Sequence, residues 1–211
     1  MVERSLCIHV DGMDLSGKTE TSLLLAKNKG GDWEIRRSTL LENNPIYRFT
    51  NNLYKNNEAT TETLGFLYLA ALLHDIENFE WPKKNIIQDS TIILRSIAYY
   101  TVNQNPRILE AFENLIPKHP KFSASFILDA NMEERLKRLE KRLNTNEKIS
   151  SGDLMIKTDP TKFIALNNCL IDSARRIFNS KIIDTSNTNV SSVVQLLDDE
   201  IVTKKCSYNN N

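Results

Sequence analysis

Residues Gly12-Met13-Asp14-Leu15-Ser16-Gly17-Lys18-Thr19 satisfy the pattern G-x-x-x-x-G-K-[ST], a loop built to hold phosphate. Glycines let the backbone curl and bring its N–H groups close to an anion. A lysine reaches the β and γ phosphates of ATP, and a threonine hydroxyl holds Mg2+. Those two roles fall on Lys18 and Thr19, and residues 12–19 are the expected ATP-binding segment. The metal needs a second oxygen donor. Asp89 ends the apolar run Ile86-Ile87-Gln88, so a strand there would deliver its carboxylate to the sheet edge where the loop sits. The bland alternative is an Asp that caps a helix starting near Ser90.

Phosphoryl transfer must exclude water, which calls for a closing segment carrying positive charge. Arg135, Arg138 and Arg142, followed by Lys148, flank or enter a polar segment at 144–157 that fits such a lid. Arg138 and Arg142 are four residues apart and share one helix face, so both are expected at the chemistry. Arg135 is expected to be solvated and paired with Glu133, Glu134 or Glu140. The sequence has no N-K-x-D tetrapeptide for guanine and no LSGG-type signature, and it is short for a motor ATPase. A small-molecule kinase remains.

These residues need elements to position them. Leu6 to Val10 reads as a buried strand stopped by Asp11-Gly12, and Lys18 to Lys29 as the helix after the loop, ended by Gly30-Gly31. Further strands are expected at 33–37, 85–89, 122–128 and 181–184. Helical patterns cover 45–57, 60–79, 91–103, a stretch opening at Pro106, 132–143, 159–178 and 190–201. Segment 144–158 is polar, contains Gly152 and shows no period, so a mobile loop is expected there, with a frayed tail at 204–211. Strands alternating with helices imply an α/β fold with a five-stranded parallel sheet covered on both faces.

At 211 residues, 40% apolar and 26% charged, the chain fits one globular domain and excludes collagen-like, low-complexity and disordered classes. Its 27 basic and 27 acidic residues cancel, which removes the broad positive field of a nucleic-acid binder. Cys7, Cys169 and Cys206 are far apart and show no C-x-x-C spacing, so neither a disulfide framework nor a zinc site is expected, and a reducing cytoplasm fits. The apolar stretch after Glu3 and Arg4 is too short for a signal-peptide core, and no run reaches the roughly 18 apolar residues of a membrane span.

Val10-Asp11-Gly12-Met13-Asp14-Leu15-Ser16-Gly17-Lys18-Thr19 resembles the E-G-x-D-x-x-G-K-[ST]-T opening of the thymidylate kinase family of nucleoside monophosphate kinases. Phe126-Ile127-Leu128-Asp129, followed by Glu133, Arg138 and Arg142, resembles that family's L-D-V-x-P-E passage with its two later arginines. Ile182-Ile183-Asp184-Thr185-Ser186 resembles its I-D-A-S strand, and the similarity runs over about residues 5–200. The resemblance implies a P-loop three-layer sandwich, ATP with Mg2+ as donor, a nucleoside monophosphate acceptor with dTMP as one candidate, and Asp14 at the acceptor's 3′-hydroxyl.

The departures from that family are as informative. Asp89-Ser90-Thr91 stands where the family has D-R-[YH], so the acceptor-phosphate arginine is missing and Arg95 is the expected replacement. Arg36-Arg37-Ser38-Thr39 replaces an R-E-P loop, leaving Arg37 to meet the acceptor phosphate. The base-packing helix offers Phe66 or Tyr68 for stacking, but Ala70 and Leu72 follow where an arginine would reach the base. His74 on the same helix is expected at the core edge. Leu15 replaces the arginine that many members carry inside the loop, so the cation for the transferring group is expected from Arg142 or Lys148. A nucleoside kinase or other kinase of a hydroxyl acceptor would need a base, for which Asp89 or Asp14 is available. A nucleotide-binding regulator without turnover is a third reading. No nucleic acid or membrane is expected as a partner, and a homodimer is compatible with all three.

Overall fold

Short apolar runs that each precede a helix can bury both strand faces only inside a parallel sheet. A computed structural model has that architecture; it describes the backbone of residues 5–208 and the side chains of residues 5–202. The strands are β1 (Cys7–Asp11), β2 (Trp33–Arg37), β3 (Asn85–Asp89), β4 (Ala124–Asp129) and β5 (Lys181–Asp184), all parallel in the order β2-β3-β1-β4-β5. The register sets Val10 beside Asp89 and Arg37 beside Asp89. Three strand ends therefore bring their polar residues to the edge from which the phosphate loop departs.

The helices are α1 (Lys18–Lys29), α2 (Pro45–Asn56), α3 (Thr61–Glu77), α4 (Ile92–Val102), α5 (Pro106–Glu113), α6 (Met132–Asn144), α7 (Ser151–Thr158), α8 (Pro160–Phe178) and α9 (Val190–Tyr208). Two cores lie on opposite sheet faces. On one side Leu25 of α1 and Val193, Leu197 and Ile201 of α9 pack on Ile8, Val10, Phe126 and Leu128. On the other, Ile93, Leu94 and Ile97 of α4 meet Phe112 of α5 and Phe163, Leu166 and Leu170 of α8. Each such fully buried side chain contributes about 1.5–3 kcal/mol, so the two layers fix the sheet between them. The result is the three-layer α/β sandwich of the P-loop fold.

Polar residues set where helices begin. Asn44, Thr60, Thr91, Asn105, Asn131 and Asp159 each accept a hydrogen bond from a first-turn N–H of the helix they precede. Asp75, buried in α3, accepts from the N–H of Leu40 at 2.8 Å and of Leu41 at 3.3 Å, which fixes the turn after β2 and with it the placement of Arg37.

The structure corrects the reading of 144–158 as an irregular loop, because Ser151–Thr158 is α7. Its signal is a capping box: Ser150 Oγ accepts from the Asp153 N–H at 2.9 Å, and the Asp153 carboxylate accepts from the Ser150 N–H at 2.9 Å. The loop proper is shorter than the sequence suggested. β4 starts at Ala124 rather than Phe122, and α9 runs to Tyr208 rather than stopping at Ile201. Residues 209–211 of the expected tail and the side chain of Cys206 lie outside the described residues. No helix among the described residues is long and apolar enough to cross a membrane.

Candidate active site

The loop leaves β1 through Gly12, whose φ of 150° suits glycine, and an added Cβ there would stand 2.2 Å from the Leu128 carbonyl oxygen. Gly17 at φ 90° turns the chain into α1. Leu15 between them is also left-handed, at φ 65°, a conformation that costs a leucine about 1–2 kcal/mol. Lys18 Nζ lies 3.5 Å from Asp14 Oδ1, and Thr19 Oγ1 lies 3.5 Å from Asp89 Oδ2. The sequence-predicted donor-side residues are thus together at one sheet edge.

Three carboxylates share this edge and behave differently. Burial would raise Asp11, yet the Arg95 guanidinium, whose Nη2 donates to Asp11 Oδ1 at 2.8 Å, and the neighbouring His9 hold it well below the usual carboxylate range. Burial works on Asp14 in the same sense and is outweighed by Lys18 and Arg95, so Asp14 is also lowered. For Asp89 burial wins, aided by the negative charge of Asp11, against the pull of Lys18, Arg37 and Arg95, and its pKa is raised. Burial, with the Arg95 cation close by, pushes the Lys18 ammonium down. Thr19 and Asp89 present hard oxygens from two elements, a donor set that suits Mg2+ completed by water and phosphate. No group of three His, Cys, Asp or Glu among the described residues could hold a metal by itself.

Beside the loop opens a cleft of about 650 Å³ lined by Met13, Asp14, Ser38, Tyr47, Tyr68, Arg95 and Tyr99, among others. Arg95 points into it from α4. Its guanidinium also donates to the Gly12 carbonyl and lies 3.5 Å from Ser90 Oγ, so it has reached the residue where the resembling family carries its arginine. Ser90 makes room by adopting φ 67° and donating to Asp11 Oδ1 at 2.9 Å. Arg37, next to the cleft-lining Ser38, is 62% exposed, with Nε 3.8 Å from Asp89 Oδ2. Tyr68 lines the cleft and donates to Asn51 Oδ1 at 2.8 Å.

Phe66 does not join them. Two residues from Tyr68 on a helix is more than half a turn, and Phe66 faces outward beneath the Arg107 guanidinium at 5.2 Å. His74 caps its own helix end, with Nδ1 3.2 Å from Asn78 Nδ2, away from the cleft. The aromatic lining that the sequence reading missed comes from Tyr47 and Tyr54 of α2 and Tyr99 and Tyr100 of α4.

The three arginines of α6 take three different places. Arg138 donates to the Leu15 carbonyl at 2.9 Å, to the Thr185 carbonyl at 2.6 Å and to Glu134 Oε1 at 2.9 Å, so it touches the loop's outer side. Arg142 donates to Asp153 Oδ1 at 3.0 Å and braces α6 against α7. Lys148 is exposed on the connection between those helices. Arg135, expected to be solvated and paired with a glutamate, is instead 1% exposed and bonded beneath the loop. The sequence did hold the signal: Arg135 stands three after Met132 and four before Leu139, on the apolar stripe of α6. α7 itself rests on the loop, since an added Cβ at Gly152 would come 1.9 Å from Asp14 Oδ2.

No protein-family model and no curated protein matches the sequence. Solved structures do match in shape. A thymidylate kinase from Candida albicans superposes with a TM-score of 0.71 at 17% identity, over 96% of this chain and 93% of that one. A thymidylate kinase from Ehrlichia chaffeensis gives 0.62 at 19% identity, over 95% of this chain and 100% of that one. A deoxyadenosine kinase from M. mycoides, solved with bound dATP, gives 0.61 at 20% identity, over 93% and 99%. The chain therefore has the thymidylate kinase-like P-loop fold.

Proposed function

We propose that the protein transfers the γ-phosphoryl group of ATP to a nucleoside monophosphate held in the tyrosine-lined cleft. The observation that carries this reading is that Arg95 of α4 lines the cleft while bonded to Asp11 and to the Gly12 carbonyl of the phosphate loop, with Arg37 of β2 a second cation 3.8 Å from Asp89 Oδ2. Two cations there can meet an acceptor phosphate and aim it in line with the donor. Lys18 follows the charge that develops on the transferring group, and Thr19 and Asp89 hold Mg2+. Mg2+ held by these two residues would offset the negative charge of the phosphates. Asp14 faces the cleft beside α7 and orients the acceptor sugar. Arg142, bonded to Asp153, sets the 144–157 segment against Asp14, where that segment closes the acceptor end of the site.

A hydroxyl acceptor is the second reading, favoured by Asp89, a buried carboxylate whose pKa burial raises and which is thereby the stronger base. Release of ADP, measured by a coupled assay across nucleosides and their monophosphates with acceptor-free controls, separates the two. Turnover is expected with monophosphates. Turnover confined to nucleosides moves the assignment to the second reading, and ADP binding without any turnover leaves a regulator.

A further inference from the structure

Every carbonyl oxygen from Gly12 to Gly17 already has a donor. Arg95 takes Gly12, the Ser16 N–H takes Met13 at 3.2 Å, Arg135 Nη1 takes Asp14, and Arg138 Nη1 takes Leu15 at 2.9 Å. Thr185 Oγ1 reaches Ser16 at 3.0 Å, and the Thr21 N–H takes Gly17 at 3.0 Å. By contrast, the N–H groups of Met13, Asp14, Leu15 and Gly17 have no acceptor among the described residues. In a planar trans peptide the C=O and the following N–H point opposite ways, so a carbonyl tied outward turns the next amide inward. The loop is held as a nest of amides by partners that grip it from outside.

Arg135 is the innermost of those partners. Its Nε donates to the Ala130 carbonyl at 2.7 Å, and its Nη2 donates to Asp129 Oδ1 at 2.7 Å and Asn167 Oδ1 at 3.2 Å. The guanidinium lies 5.1 Å from the centre of the Phe163 ring. It joins the end of β4, the start of α6 and the body of α8 to one peptide of the loop. That peptide precedes Leu15, and Arg138 grips the peptide that follows it. A strained residue persists only where its surroundings over-determine it, and here the two arginines fix both peptides flanking the left-handed Leu15.

We infer that Arg135 is a positioning residue of the phosphate site, which holds the Asp14 peptide so that the Leu15 N–H faces the bound phosphate. This rests on residues 12–19 binding phosphate, and the full chain with MgADP and with pyrophosphate as probes tests it by calorimetry well below the melting temperature. Arg135→Met should weaken both probes about 10-fold or more, the scale of losing an oriented donor. Asn167→Ala, which loosens the same cluster without touching the loop, should lower the melting temperature and leave both affinities near those of the unaltered chain. Arg135→Lys keeps the charge but loses the fork, and should weaken the probes with a smaller loss of thermal stability. Should Arg135→Met not fold, Arg135→Lys decides. Unchanged affinity in a folded Arg135 variant, or an equal loss in Asn167→Ala, overturns the inference. A chain that binds neither probe before substitution overturns the phosphate-binding reading instead.

Discussion

Asp11 and Asp89 end adjacent strands, yet only Asp11 receives a full ion pair, from Arg95 at 2.8 Å. Asp89 is 5% exposed, with Arg37 Nε at 3.8 Å and Thr19 at 3.5 Å, and burial raises its pKa. A carboxyl that holds its proton more tightly in the fold than in the unfolded chain loses stability for the fold as pH rises through that raised value. Asp89→Asn should therefore leave the melting temperature at neutral pH unchanged or higher. The same change should lower turnover about 100-fold or more, because the proposed Mg2+ site loses a carboxylate oxygen. Melting curves and steady-state rates on one preparation check this, and a large fall in melting temperature would make Asp89 a structural anchor.

At the scale of elements, the contact between α7 and the loop stands out, because the two are far apart in sequence. Ser150 and Asp153 cap α7, Arg142 ties Asp153 back to α6, and Gly152 is thereby set against Asp14. A methyl group at Gly152 would meet Asp14 Oδ2, the far end of a side chain, so the carboxylate would swing rather than the helix melt. Its contact with Lys18 at 3.5 Å would be lost on the way. Gly152→Ala should raise the KM of the acceptor several-fold and that of ATP much less, with helical content by circular dichroism unchanged. Equal effects on both substrates would mean that α7 serves the donor side instead. Phe66 and Tyr68 carry a related lesson: both are aromatic residues of α3, and the helix's rotation against its neighbours chose Tyr68 for the cleft.

Across the whole molecule, acid sensitivity should arise far from the cleft. His119 is 6% exposed among Phe122, Phe178 and His9, and burial, against the help of a 2.8 Å bond to the Pro120 carbonyl, pushes its pKa down to about 4. The unfolded chain protonates this histidine near its ordinary 6.5. Between those values the unfolded state binds more protons, so stability falls with acid, by roughly 2 kcal/mol at pH 5 relative to neutral. His119→Phe should keep the packing and flatten the dependence between pH 7 and pH 5. Urea midpoints of both proteins at the two pH values measure it, and an undiminished difference would show that His119 does not set the acid sensitivity.

Local chemistry was legible in the sequence: the loop from Gly12 to Thr19, the apolar strands that end in Asp11 and Asp89, and helix starts at Pro45, Pro106 and Pro160 follow from residues adjacent in the chain. A strand's burial, a turn's φ and a cap's hydrogen bond are short-range matters, so five strands and the parallel α/β plan could be read without coordinates. The cleft wall could not. Which face of α3 turns inward, where Arg95 bends after Ser90, and that α7 settles on Asp14 depend on packing between separate elements of the chain. Arg135 marks the boundary. Its place on the apolar stripe of α6 was printed in the sequence, but a buried arginine is tolerable only where acceptors wait for it. Asp129, Asn167 and the Asp14 carbonyl come together at that point only when β4, α8 and the loop have packed.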